Sequence, residues 1–193
     1  MPEDSQDKQS VIKYFGKKGV EARLFPKTSA MPNPDLKLYI DGNLFAYCEL
    51  KSIMPYELDL PTNFPSSQVY QNLHNDPAFN NIQNKIHEAS KQLRSVNLDH
   101  DLPNIIFFIN HHKYRGIQDL RWVIKGQPSE KAPDVFDMTY LKRLLEKDDL
   151  SVVDYIICSD SFSDKAFYYV RSESPFRDIL KQRISSKAWE NLI

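Results

Sequence analysis

Residues 33–53 read NPDLKLYIDGNLFAYCELKSI, and how this stretch folds decides how the whole chain is read. Leu36–Ile40 alternates apolar and polar residues, Asp41-Gly42-Asn43 is a turn signal, and Leu44–Lys51 is a returning strand. Asp-Gly between two alternating runs marks a β-hairpin, because glycine supplies the positive φ that a tight turn requires. Side chains alternate along a strand, so Glu49 and Lys51 share one face. Antiparallel pairing around Asp41-Gly42 sets Asp35, at the start of the first strand, opposite the end of the second. The reading therefore gathers Asp35, Glu49 and Lys51 at one sheet edge. Two carboxylates and an ammonium together suit a metal site with a catalytic lysine. Glu49 follows the apolar run Leu44–Cys48, where an isolated charge is costly to bury.

Pro34-Asp35, a hairpin, then Glu49-Leu50-Lys51 resembles the motif of the PD-(D/E)xK nuclease superfamily, the restriction-endonuclease-like enzymes. The resemblance is close over the hairpin and looser over the order helix, strand, hairpin, helix, strand from about Ser10 to Asn110. It implies an α/β fold with a mixed central β-sheet flanked by helices. It also implies phosphodiester hydrolysis with Mg²⁺ or Mn²⁺ bound by Asp35, Glu49 and the backbone carbonyl of Leu50. Such a cation acidifies water and draws charge from phosphate, and Mg²⁺ keeps several waters when two carboxylates hold it. Lys51 would orient or deprotonate the attacking water or stabilise the pentacovalent state, since lysine is a compact charge with a movable pKa. In the family, the helix after the ExK strand often lends the site a glutamine, lysine or glutamate; by position Gln83, Lys85 and Glu88 are the candidates. A glutamate of the first helix often completes such a site, but the helix read at Lys8–Lys18 has none, which leaves the metal count open.

The rest of the chain supplies the context. Its 193 residues, 41% apolar and 26% charged, indicate one soluble domain with a real core. A formal charge of −1 gives no global attraction to nucleic acid, so a nucleic-acid partner needs a local basic patch. One candidate patch is Lys113, Arg115, Arg121 and Lys125 with Tyr114 and Trp122 interleaved; another is Lys17, Lys18, Arg23 and Lys27. Charge runs are more often simply solvated faces. His111-His112 offers a further metal or phosphate contact, against the commoner reading of a strand-end cap. Cys48 and Cys158 fall in strands and read as core thiols of a reducing compartment. The polar start MPEDSQDKQS is unlike a signal peptide and no apolar run reaches ~20 residues, so a cytoplasmic protein without a membrane span is expected. Five glycines include no phosphate-cradling loop.

Along the chain, residues 1–8 read as frayed, Lys8–Lys18 as a helix and Val20–Phe25 as a strand. Pro55–Phe79 is a proline-broken loop leaving the lysine end of the hairpin, so it is expected near the site. Its Tyr56, Phe64, Tyr70 and His74 would stack on bases or, more simply, pin the loop. Asn80–Val96 has helical spacing at Ile82, Ile86, Ala89 and Leu93, and Asn104–Asn110 is apolar enough for a central strand. Strand, helix, strand predicts that Ile105–Ile109 runs parallel to Leu44–Lys51. Helices over 117–125 and 138–147, strands Val152–Ser159 and Ala166–Arg171, and a last helix from Phe176 to about Ile184 complete the prediction. The function expected is cleavage of nucleic acid, with DNA favoured by family habit and a homodimer as one means of cutting both strands. The rival is a catalytically inactive nucleic-acid-binding or protein-interaction module on the same fold.

Overall fold

A computed structural model describes residues 3–26, 33–54, 77–112, 120, 123–124, 149–163 and 166–184. Among them, six strands form one sheet in sequential order: β1 (Glu21–Leu24), β2 (Leu36–Ile40), β3 (Asn43–Ile53), β4 (Asn104–Asn110), β5 (Tyr155–Asp160) and β6 (Ala166–Val170). The sheet is mixed. β1–β2, β2–β3 and β5–β6 pair antiparallel, whereas β3–β4 and β4–β5 pair parallel. Helices α1 (Glu3–Gly16), α2 (Pro77–Val96) and α3 (Arg177–Ile184) flank it, giving the expected α/β class.

Why the chain adopts this arrangement is clearest at β4. Every residue of Asn104–Asn110 is buried, and period two divides its side chains between two cores. Ile106 and Phe108 pack with Ile82, Ile86, Ala89 and Leu93 of α2. Ile105, Phe107 and Ile109 pack with Val11 and Phe15 of α1 and with Leu180 and Ile184 of α3. A helix on each face is what a strand without a polar side requires.

The hairpin turns at Asp41 (φ 51°) and Gly42 (φ 78°), the double positive φ of a type I′ turn. Next to it the register slips by one residue: Tyr39 pairs with Leu44 but Leu38 with Ala46. The extra residue is Phe45, and it and Ala46 enter the same core, as a β-bulge allows.

Several predicted boundaries move. Residues 1–8 were expected to fray and the helix to run Lys8–Lys18, but α1 begins at Glu3 and ends at Gly16. The cause is tertiary: Asp7 is buried and accepts hydrogen bonds from Ser52 and His111, which fixes the first turns. The strand expected from Val152 begins at Tyr155, after a 3₁₀ turn over Leu150–Val152. Helix α2 starts at Pro77, inside the expected loop; residues 55–76 of that loop lie outside the described residues, as do the predicted helix at 138–147 and most of that at 117–125. Cys48 and Cys158 are free and buried, and burial pushes both thiols up in pKa, as fits core residues. No described helix is long and apolar enough to cross a membrane.

Candidate functional site

β2 pairs with β3 only as far as Leu36↔Cys48. Glu49–Ile53 runs on beyond it, paired on the other side by β4, so the sheet has a notch where β2 stops. Asp35 precedes β2 at that notch. Its backbone N–H donates to Glu49 Oε2 at 3.0 Å, and its own Oδ2 accepts the N–H of Leu50 at 3.2 Å. The two acids thus hold each other through backbone amides. Lys51 Nζ lies 3.1 Å from Glu49 Oε1, so the three residues expected at one edge do meet there. An extended residue directs its N–H and C=O to the same edge, so the Leu50 carbonyl shares the notch with Asp35.

Helix α2 closes one side. Lys51 Nζ donates to Gln92 Oε1 at 3.1 Å and lies 3.5 Å from Glu88 Oε2. Gln92 Nε2 donates in turn to the Asn33 carbonyl at 3.3 Å, tying helix, lysine and hairpin entrance together. Positions 85, 88 and 92 recur at i, i+3 and i+7, one stripe of a helix. Lys85 belongs to this stripe and is close enough for its charge to feel Lys51 and Glu88. Gln83 does not. It falls on the flank of His87 and Ser90, which bind Asp149 at 2.9 Å and 2.8 Å, on the far side of the apolar stripe. Sequence reasoning chose Gln83, Lys85 and Glu88 and missed Gln92; counting the stripe on from Lys85 by seven would have found it.

From the other face of the sheet, Lys8 of α1 reaches through the notch to Asp35 Oδ1 at 3.0 Å. No sequence spacing announces this contact. One residue earlier, Asp7 binds Ser52 and His111 on the α1 face, so His111 serves the second core face, away from Glu49. His112 closes a local turn, its N–H donating to Asn110 Oδ1 at 3.0 Å. The predicted patch of Lys113, Arg115, Arg121 and Lys125 lies outside the described residues, as does Lys27 of the other.

The electrostatics follow from crowding. Glu49 is 2% exposed, and its carboxyl is pushed up to about 7, first by burial and then by the Asp35 charge. Lys51 and the Asp35 amide oppose that shift without cancelling it. Lys85 is held below the ordinary lysine range, chiefly by burial and then by repulsion from Lys51. Asp35, Glu49 and Glu88 stand against Lys8, Lys51 and Lys85, a balanced set in which each carboxylate has a cation or amide against it. Two carboxylates this close in a poorly solvated place favour a cation between them.

Among the described residues no three His, Cys, Asp or Glu side chains gather as a metal-ligand group. A pair of carboxylates plus a carbonyl is still a donor set of the hard-oxygen kind that Mg²⁺ or Mn²⁺ takes while keeping water in its shell. Comparison of the chain with protein-family models, with curated proteins and with solved structures finds no match in any of the three.

Proposed function

We propose that the notch is the active centre of a divalent-metal-dependent nuclease built on a restriction-endonuclease-like core, with DNA as its substrate. The observation that carries this reading is the mutual hold of Asp35 and Glu49 at an unpaired strand end, with Lys51 3.1 Å from Glu49. Asp35, Glu49 and the Leu50 carbonyl would hold Mg²⁺ or Mn²⁺, which would supply Lewis-acid polarisation of phosphate and water.

The chain's own residues do the rest. Gln92 and Glu88 hold the Lys51 ammonium in place, so it meets the attacking oxygen and the developing phosphoryl charge already oriented. Lys8, 3.0 Å from Asp35 Oδ1, would be long enough to turn to a phosphate if that ion pair opened. The crowded carboxylates are costly to keep unless they bind something, which favours an enzyme over an inactive module on the same core.

The deciding experiment is cleavage of supercoiled, linear, single-stranded and branched DNA with Mg²⁺, Mn²⁺ or EDTA. Cutting should need the metal. Asp35→Asn should abolish it, and Lys51→Ala should slow it by about 10²–10⁴-fold, the usual range for a positioned proton-transfer group. Binding without cutting, unchanged in both variants, would instead establish the inactive module.

A further inference from the structure

On the α1 face of the sheet, two cavities run into one another. The smaller, 280 Å³, is lined by Asp7 and His111 at one end and by Phe107 and Ile109 beneath. The larger, 750 Å³, is lined by Lys13, Lys17 and Lys18 of α1 and its following turn, and by Phe162 and Tyr168 across from them. Both include Ser10, Tyr14 and Ser159–Ser161, so together they form one trough along α1. Its narrow end is linked to the candidate site across the sheet by chain neighbours: Asp7 is next to Lys8, which binds Asp35, and Asp7 accepts from Ser52, next to Lys51.

The charges change along it. Asp7 at the narrow end and Asp160, which lines both cavities, are already engaged. Asp7 is held by Ser52 and His111, and Asp160 by Asn110 Nδ2 at 2.7 Å and Ser163 Oγ at 2.9 Å. At the wide end, Lys13, Lys17 and Lys18 meet no carboxylate within ion-pair distance among the described residues; Lys18 lies over the Tyr14 ring, 5.0 Å from its centre. Tyr14 and Tyr168 join their hydroxyls at 3.2 Å on the trough floor. Opposite the lysines, the turn after β5 presents Phe162, 54% exposed, an aromatic ring with no core to fill. Three ammoniums along one wall, without an ion pair among the described residues, and an exposed aromatic on the other are the two elements of single-strand recognition: backbone attraction and base stacking.

We propose that this trough is a track for a single-stranded nucleic-acid segment, its phosphates along Lys13, Lys17 and Lys18 and an unpaired base on Phe162. The inference rests on the nuclease reading, which gives a strand its reason to lie on this domain. A duplex offers Phe162 no unpaired face, so the track selects a displaced or frayed strand.

The test is metal-free binding, which does not depend on cutting. Fluorescein-labelled 20-nucleotide single strands and the matching duplex are titrated with the full chain in EDTA at several salt concentrations, by anisotropy. The K13A/K17A/K18A variant should weaken single-strand binding about tenfold or more at low salt and reduce the log K against log salt slope by about 2, given roughly 0.7 per phosphate contact. Phe162→Ala should weaken it about fivefold or more and leave duplex binding alone. Phe162→Tyr should restore it, as a fold defect would not. Single-strand binding that is absent, or unchanged in both variants, overturns the track. So does duplex binding as tight as single-strand binding. Cutting that needs Asp35 alongside unaffected binding would leave the nuclease reading standing and remove the track. Binding that needs the lysines, with no cutting at all, would do the reverse.

Discussion

At the scale of single residues, Glu49 carries the sharpest consequence. Its carboxyl titrates near 7 in the folded chain against ~4.3 in an unfolded one. The folded state therefore binds the proton more tightly, and the resulting stability is complete below about pH 4 and lost as pH rises through 7. A shift of this size corresponds to about 3–4 kcal/mol over the whole range. In EDTA, Glu49→Gln should flatten the pH dependence: unfolded by urea at pH 5.5 and pH 8, wild type should lose about 2 kcal/mol more between the two than the variant does, since part of the loss already lies below pH 5.5. Parallel losses would mean that the Asp35–Glu49 pair does not carry the buried charge argued for it. The same residue shows what the sequence held in advance. A glutamate after LFAYC reads as a charge at the end of a buried strand, and the hairpin reading already brings it to the edge that holds Asp35; the amide contacts by which the two acids hold each other depend on a register the alternation alone leaves open.

At the scale of elements, the hairpin register is the decisive feature. Across the turn, Ile40 faces Asn43 and Tyr39 faces Leu44; past the bulge, Leu36 faces Cys48. Without Phe45 as the extra residue, Asp35 would continue the first register and face Cys48 in place of Glu49. The turn signal was plain in Asp41-Gly42, but the bulge was not, since Phe45 and Ala46 are both apolar and either fits a strand. Gly42 lies at φ 78°, with nothing within 4 Å of an added Cβ, so Gly42→Ala should cost about 1–2 kcal/mol through backbone strain alone. Denaturant midpoints would register this, with an unchanged m-value. Helix α2 gives a second case. Its apolar stripe was legible, while which polar flank faces the hairpin was settled only by the parallel crossover to β4. Gln92 acts through Lys51, so Gln92→Ala should cost about 1 kcal/mol of stability and lower kcat about tenfold or more with KM little changed. A rise in KM at constant kcat would show instead that Gln92 binds substrate.

At the scale of the whole molecule, the sheet separates a functional end from a structural one. The notch lies toward the C-terminal ends of β3 and β4. Toward their N-terminal ends the organising residue is Asp154, fully buried. It accepts from the Asn104 amide at 2.9 Å, Ser174 Oγ at 2.6 Å and Arg171 at 3.2 Å, and it meets His100 Nε2 at 2.7 Å. One carboxylate thus ties the entrances of β4 and β5 to the exit of β6 and the approach to α3, and the sequence showed it only as one aspartate among many. Removing it strands a guanidinium, a hydroxyl and an amide in the core, so Asp154→Ala should cost about 3–5 kcal/mol, the range for breaking a buried charged pair. Two strands and two to four residues separate it from Glu49 and Lys51, roughly 12–16 Å by strand spacing and rise. At that separation the costs of Asp154→Ala and Lys51→Ala should add within about 0.5 kcal/mol in urea unfolding. A larger coupling would mean that the sheet transmits strain between its ends, and that a change at the structural end reaches the chemistry.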